Sequence, residues 1–216
     1  TNSLLVGTDS TGTLSSAEKN VGVGVGVLGA LTSGDDNVAI GFNALDLNTT
    51  GFQNIVLGSE SMATNTSGER NVAIGHNAMY ANTEGDCNVA IGKGALDANT
   101  TASGNTAVGT CSLTANTTGT TNTAIGINSL SANTTAAYNT AVGGGALATN
   151  ITGCQNAAVG AFALDKNTTG DDNVAMGYAT LDANTTGDLN TAIGKGALTA
   201  NTTGSSNTAI GYNALA

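Results

Sequence analysis

Few residues in this chain have a type and spacing that could do chemistry. Gly24-Val-Gly-Val-Leu-Gly29 has the spacing of a dinucleotide fingerprint, whose glycines let a backbone approach pyrophosphate at a helix start. That loop needs a strand and a helix around it, and the stretch instead falls inside one unit of a tandem repeat. Val21 to Leu31 therefore reads as an irregular apolar coil that caps the repeats or docks to something upstream. Ser16-Ala-Glu-Lys19 has the Ser-x-x-Lys spacing of an acyl-enzyme nucleophile but none of the partner motifs. His76, the sole histidine, shares its repeat position with Lys93, Lys195 and Tyr212, which marks a solvated side chain. Glu18, Asp35 and Asp36, and later Asp171, Asp172 and Asp188, could bring carboxylates together for Ca²⁺. An acidic solvated edge that discourages side-by-side aggregation is the simpler expectation. No catalytic, cofactor-binding or metal-ligating residue is assigned, and a non-enzymatic protein is expected.

Composition points the same way. Only 9% of the 216 residues are charged, 3% are aromatic, and there are 31 Gly and no Pro or Trp. Leu, Ile, Val and Phe make up about a fifth of the chain, near the level below which disorder is usual. The net charge of -10 leaves no basic stripe for phosphates, so neither nucleic acid nor an anionic membrane surface is an expected partner. No apolar run approaches the ~18 residues of a membrane span, and residues 1–20 lack the layout of a signal peptide. A chain opening at Thr1 reads as a processed form or a fragment.

The organising feature is a repeat. Asn recurs every 17 residues from Asn20 to Asn207, and Ser3 fits the same frame, giving twelve units over 3–206 and ten trailing residues. Number the columns 1 to 17 from that Asn. Column 5 is Gly in every unit, column 4 is aliphatic apart from Met176, column 3 is Ala from Ala73 onward, and column 9 is Leu or Met except at Thr11. Such strict register requires each column to meet itself above and below, the condition of a stacked solenoid. Columns 1 to 5 predict one short parallel strand per coil, with a rod of about 58 Å at ~4.8 Å per step. The constrained columns 5, 8, 9 and 12 lie on one helical face, which predicts a short helical turn after each strand. A second strand with the column-9 Leu inward, giving an all-β left-handed parallel roll, is the alternative.

Within the strand, columns 2 and 4 share one face and column 3 takes the other. Both are apolar in Val38-Ala39-Ile40, Val72-Ala73-Ile74 and Val89-Ala90-Ile91. A thin coil can cover only one face, so these nine residues are expected to mark an assembly face against another chain, with the small Ala column permitting close approach.

Column 12 is Asn at 48, 65, 82, 99, 116, 133, 150, 167, 184 and 201. Nine of these open Asn-x-Ser/Thr sequons, but Asn82 keeps its Asn where Glu84 destroys the sequon. An internal Asn ladder bonding backbone between coils is therefore expected. Thr fills most of columns 13 and 14. Turn chemistry explains it, and an ice-binding array of stacked Thr files is the alternative, although adjacent columns in extended backbone give one outward file. Cys87 and Cys154 lie about four coils, ~19 Å, apart, and no intrachain disulfide is expected among them and Cys111.

The Asn-x-Ala-(Ile/Val)-Gly units at Asn37 to Gly41, Asn71 to Gly75 and Asn122 to Gly126 resemble the head-domain repeats of trimeric autotransporter adhesins and related phage tail-fibre repeats. That resemblance implies a homotrimer of left-handed β-rolls on the cell or virion surface, with a surface glycan or receptor as partner. The uniform 17-residue unit, the Leu column and the Asn-Thr-Thr-Gly turn depart from that pattern.

Three regions are expected: irregular N-terminal coils over 1–36, regular repeats over 37–206 and an incomplete coil over 207–216. Ala216 falls in column 10, an open edge, so end-to-end filament growth is expected beside lateral trimerisation. The sequence thus predicts a structural, self-associating, extracellular fibre or adhesin solenoid.

Overall fold

The computed structural model describes residues 3–7 and 16–216, so Thr11 lies outside the described residues. The chain is a β-solenoid of 17-residue coils that divides into two compact units, 1–105 and 106–216. The first unit carries β1 (Leu4–Val6), β2 (Val21–Val23), β3 (Val38–Ile40), β4 (Ile55–Leu57), β5 (Val72–Ile74) and β6 (Val89–Ile91). They pair in sequence order, all parallel, each residue facing its equivalent 17 positions on, as in Val38↔Ile55, Ala39↔Val56 and Ile40↔Leu57. The second unit repeats this plan with β7 (Thr106–Val108), β8 (Thr123–Ile125), β9 (Thr140–Val142), β10 (Ala157–Val159), β11 (Val174–Met176), β12 (Thr191–Ile193) and β13 (Thr208–Ile210). Residues 20–36, expected to be irregular, form a coil of the same plan: β2 pairs with β3, and Leu28 is buried like the other column-9 leucines.

Each strand turns its column-3 residue inward. Ala39, Ala73, Ala90, Ala107 and Ala124 are fully buried, together with column-9 side chains such as Leu45, Met79, Leu96 and Leu113. A 17-residue coil is thin, and a methyl on one wall facing an isobutyl group on the other fills its width. Gly at column 5 then turns the chain at φ values no other residue adopts readily, 135° at Gly109 for example. A Cβ at Gly109 would lie 2.6 Å from Gly126 of the next coil, so the column is Gly for space as well as conformation.

The expected helical turn is absent: no helix occurs among the described residues, and columns 6 to 12 carry no second strand either. Columns 7 and 9 sit at positive φ, as in Asn43 (50°), Leu45 (55°), Asn128 (54°) and Leu130 (49°), which a right-handed helix excludes. Their amides bond to neighbouring coils instead of within the segment. Asn128 N donates to Thr110 O of the coil before (3.0 Å), and Leu130 N donates to Ala146 O of the coil after (3.0 Å). The spacing of three that suggested a helix comes from two tight turns, Ser129 N to Gly126 O (3.3 Å) and Asn133 N to Leu130 O (3.2 Å). Inter-coil bonding thus continues well beyond the three-residue strands.

Candidate interaction surface

Two files of buried asparagine flank the core. In column 12, Asn65 Nδ2 donates to Asn48 Oδ1 (2.8 Å) and to Gly68 O (3.0 Å), and Asn82 repeats the pattern on Asn65 and Gly85. Asn99 donates to Asn82 Oδ1 in the same unit. In the second unit Asn133 donates to Asn116, Asn150 to Asn133, Asn167 to Asn150, Asn184 to Asn167 and Asn201 to Asn184, all within 3.1 Å. Column 1, the Asn that opens each repeat from Asn20 onward, forms another file. Asn54 donates from N (3.0 Å) and Nδ2 (3.1 Å) to Asn37 Oδ1, and from Nδ2 to Gly68 O. The column-15 carbonyl therefore collects both side-chain amides of its coil. These bonds satisfy polar groups whose burial would otherwise be costly.

The threonines of column 13 are drawn into the same bonding. Thr49 Oγ1 donates to Thr66 O (3.0 Å), and Thr66, Thr83, Thr168 and Thr185 do likewise with the coil after. Column 14 supplies the one outward file, Thr118, Thr135, Thr152, Thr169, Thr186 and Thr203 in the second unit, all exposed.

The acidic residues of column 16 act as caps. Asp35 Oδ1 accepts from Glu18 N (2.7 Å), Asp86 from Glu69 N (2.8 Å) and Asp188 from Asp171 N (2.8 Å), while Ser103 and Ser205 do the same through hydroxyls. No group of three His, Cys, Asp or Glu is placed to hold a metal ion among the described residues. Column 10 holds four further carboxylates, Asp46, Asp97, Asp165 and Asp182. Burial pushes the acids of Asp46, Asp97 and Asp165 above the ordinary carboxylate range, with the charge of Asp182 adding to the effect at Asp165.

The remaining sequence candidates are scattered. Gly24 N donates to Val6 O (2.9 Å), so the fingerprint-like stretch is ordinary coil backbone and opens no helix. His76 and Cys87 are exposed, and Cys87, Cys111 and Cys154 are free thiols. No pocket is present among the described residues.

What the fold does present is the outer side of each sheet. Ala39, Ala73 and Ala90, expected on the assembly face, are fully buried and point inward, as does Val56 at the same column, because column 3 is the side of the strand that faces the column-9 leucines. Val38, Ile40, Val72, Ile74, Val89 and Ile91 remain outside, half-buried or exposed. Column 4 is an open file: Ile40 is 40% exposed, Ile91 38%, Ile125 41% and Ile193 37%. Column 6 widens it with Val25, Phe42, Ile127, Tyr178 and Tyr212. In the second unit Lys195 Nζ lies 5.8 Å from the Tyr178 ring centroid and 5.9 Å from that of Tyr212, a cation held between two aromatic faces. Neither column 2 nor column 4 contains a charged residue in any coil.

The two units differ in one column of this face. Column 2 is aliphatic throughout the first unit, Leu4, Val21, Val38, Ile55, Val72 and Val89. In the second it is Thr at 106, 123, 140, 191 and 208, with Ala157 and Val174 between them. That change was visible in the sequence. So was the signal for columns 7 and 9, which contain no Val, Ile or Thr in any described coil, as positive φ requires. No protein-family model, no curated protein and no solved structure matches the chain.

Proposed function

We propose that this protein is a non-enzymatic, self-associating structural solenoid, serving outside the cell as the shaft or display surface of a fibre or adhesin. The observation that carries this is the outward, uncharged aliphatic file of column 4, flanked in the first unit by a second aliphatic file. A soluble chain rarely leaves a continuous apolar stripe open to water, and covering it returns the hydrophobic free energy of every coil at once. Rigidity comes from the coil-to-coil hydrogen bonds, which involve backbone, Asn and Thr side chains alike. The resemblance to adhesin and tail-fibre repeats agrees with this role and brings with it a homotrimer, an outer-surface location and a glycan or receptor ligand. End-to-end filament growth is the other mode of assembly. Cryo-electron microscopy of the purified chain tests the proposal: particles with several chains packed along the sheet face are expected, and isolated single chains would refute it.

Ice binding is a second reading, favoured by the outward Thr file of column 14 and the outward column-2 threonines of the second unit. Column 13 contributes nothing to it, since its hydroxyls are spent on backbone. Thermal hysteresis above that of an inert protein of equal concentration supports it, and its absence removes it.

A further inference from the structure

We infer that the self-contact surface is the sheet face of the first unit, and that it takes a second copy of this chain, face to face, about a two-fold axis parallel to the coil-stacking direction. The inference rests on the self-association proposed above, names its surface, and gives it a two-chain geometry in place of the homotrimer that the resemblance implies.

Three observations converge. The first is the column-2 change: from Leu4 to Val89 both outward files are aliphatic, whereas from Thr106 onward most column-2 positions carry a hydroxyl that water solvates well. The gain from excluding water is therefore concentrated in 1–105. The second is periodicity. Two identical files with one step per coil of ~4.8 Å can match residue for residue along their whole length, which a partner of any other period cannot do.

The third is charge. On the strand-entry flank of the first unit, columns 16 and 17 hold Glu18, Asp35, Asp36, Glu69 and Asp86 against only Lys19 and Arg70. On the opposite flank, columns 6 and 7 hold Lys93 and His76 with two acids, Glu60 and, outside the described residues, Asp9. A two-fold along the stacking direction opposes the strand directions and sets each acidic flank against the partner's nearly neutral one. A two-fold along the strands would set acid against acid, which the unscreened distance across a narrow face penalises. Six strands of three residues at ~4.8 Å spacing give a face of a few hundred Å² per chain, below the size of a stable specific interface and in the range of a weak, transient one. The pair is accordingly concentration-dependent.

Sedimentation velocity of the full chain over a concentration series to the millimolar range tests this. A first variant, Val38→Thr with Val72→Thr and Val89→Thr, copies into the first unit the residue its own second unit uses, which the fold already accommodates. A second, Thr123→Lys with Thr140→Lys, puts charge on the outward face of the second unit. The expected result is a two-chain species weakened roughly tenfold or more by the Thr variant and unchanged by the Lys variant. If the Lys variant dissociates the species, or the Thr variant leaves it intact, the surface is misassigned while self-association stands. A limiting mass of three chains overturns the two-fold pairing. A wild-type chain that stays single throughout overturns the self-association on which all of this rests.

Discussion

Leu113 shows how one residue type can be dictated by backbone and core together. Its side chain is fully buried and its φ is 49°, a conformation that penalises branching at Cβ. Leu113→Met should cost below about 1.5 kcal/mol, since volume and the unbranched Cβ are kept. Leu113→Ile, of the same volume, should cost about 1–3 kcal/mol more through backbone strain. Urea unfolding of the two variants reads the difference directly. Asn167 is held as tightly by polar contacts: its Nδ2 donates to Asn150 Oδ1 and Gly170 O at 2.9 Å, and its Oδ1 accepts from Asn184 Nδ2 at 2.9 Å. Asn167→Ala strands Asn150 Oδ1 and one N–H of Asn184, at about 1–3 kcal/mol for each buried group left unpaired. Because these amides are buried and bonded, the folded chain should leave its column-12 sequons unmodified. Intact mass after expression in a glycosylating host should equal the polypeptide mass, and added hexose would contradict the ladder.

At the scale of the coil, the strand was legible because Val, Ile and Thr around an Ala closed by Gly state both the extended backbone and its end. The orientation of the strand was not. Val38, Ala39 and Ile40 are all apolar, so alternation cannot say which faces inward, and size does not decide it either, since Val56 is buried in the same column as Ala39. The segment after the strand resembles a helix in sequence for a related reason: a spacing of three is shared by helices and by the turns Gly126–Ser129 and Leu130–Asn133. The missing β-branched residues of columns 7 and 9 would have separated them. Column 10 adds a pH dependence. The Asp165 carboxyl is raised by burial and by Asp182, so it holds its proton to higher pH in the folded chain than in the unfolded one. Stability from this group is thus greatest below the ordinary carboxylate range and is lost as pH rises through the raised value. Asp165→Asn should raise the melting temperature at neutral pH, with the advantage shrinking on acidification. A constant difference across pH would refute the assignment.

For the whole molecule, a net charge of -10 and an uncharged outward face act in opposite senses on association. The carboxylates keep random contacts apart, as negative charge does on any exposed sheet flank, while in the proposed pairing the aliphatic files supply the attraction at one place. Raised salt should therefore strengthen pairing by screening the repulsion without weakening the apolar contact. Stability should instead be set coil by coil, since every described hydrogen-bond file runs only between nearest neighbours. The repeat thus provides strength by itself, and the proposed self-association uses the side of the sheet that the coil cannot cover. Sedimentation equilibrium of the unmodified chain over a concentration series tests that assignment most directly. A weight-average mass rising above that of one chain, and rising further with salt, is predicted. A mass fixed at one chain across the whole series would contradict it.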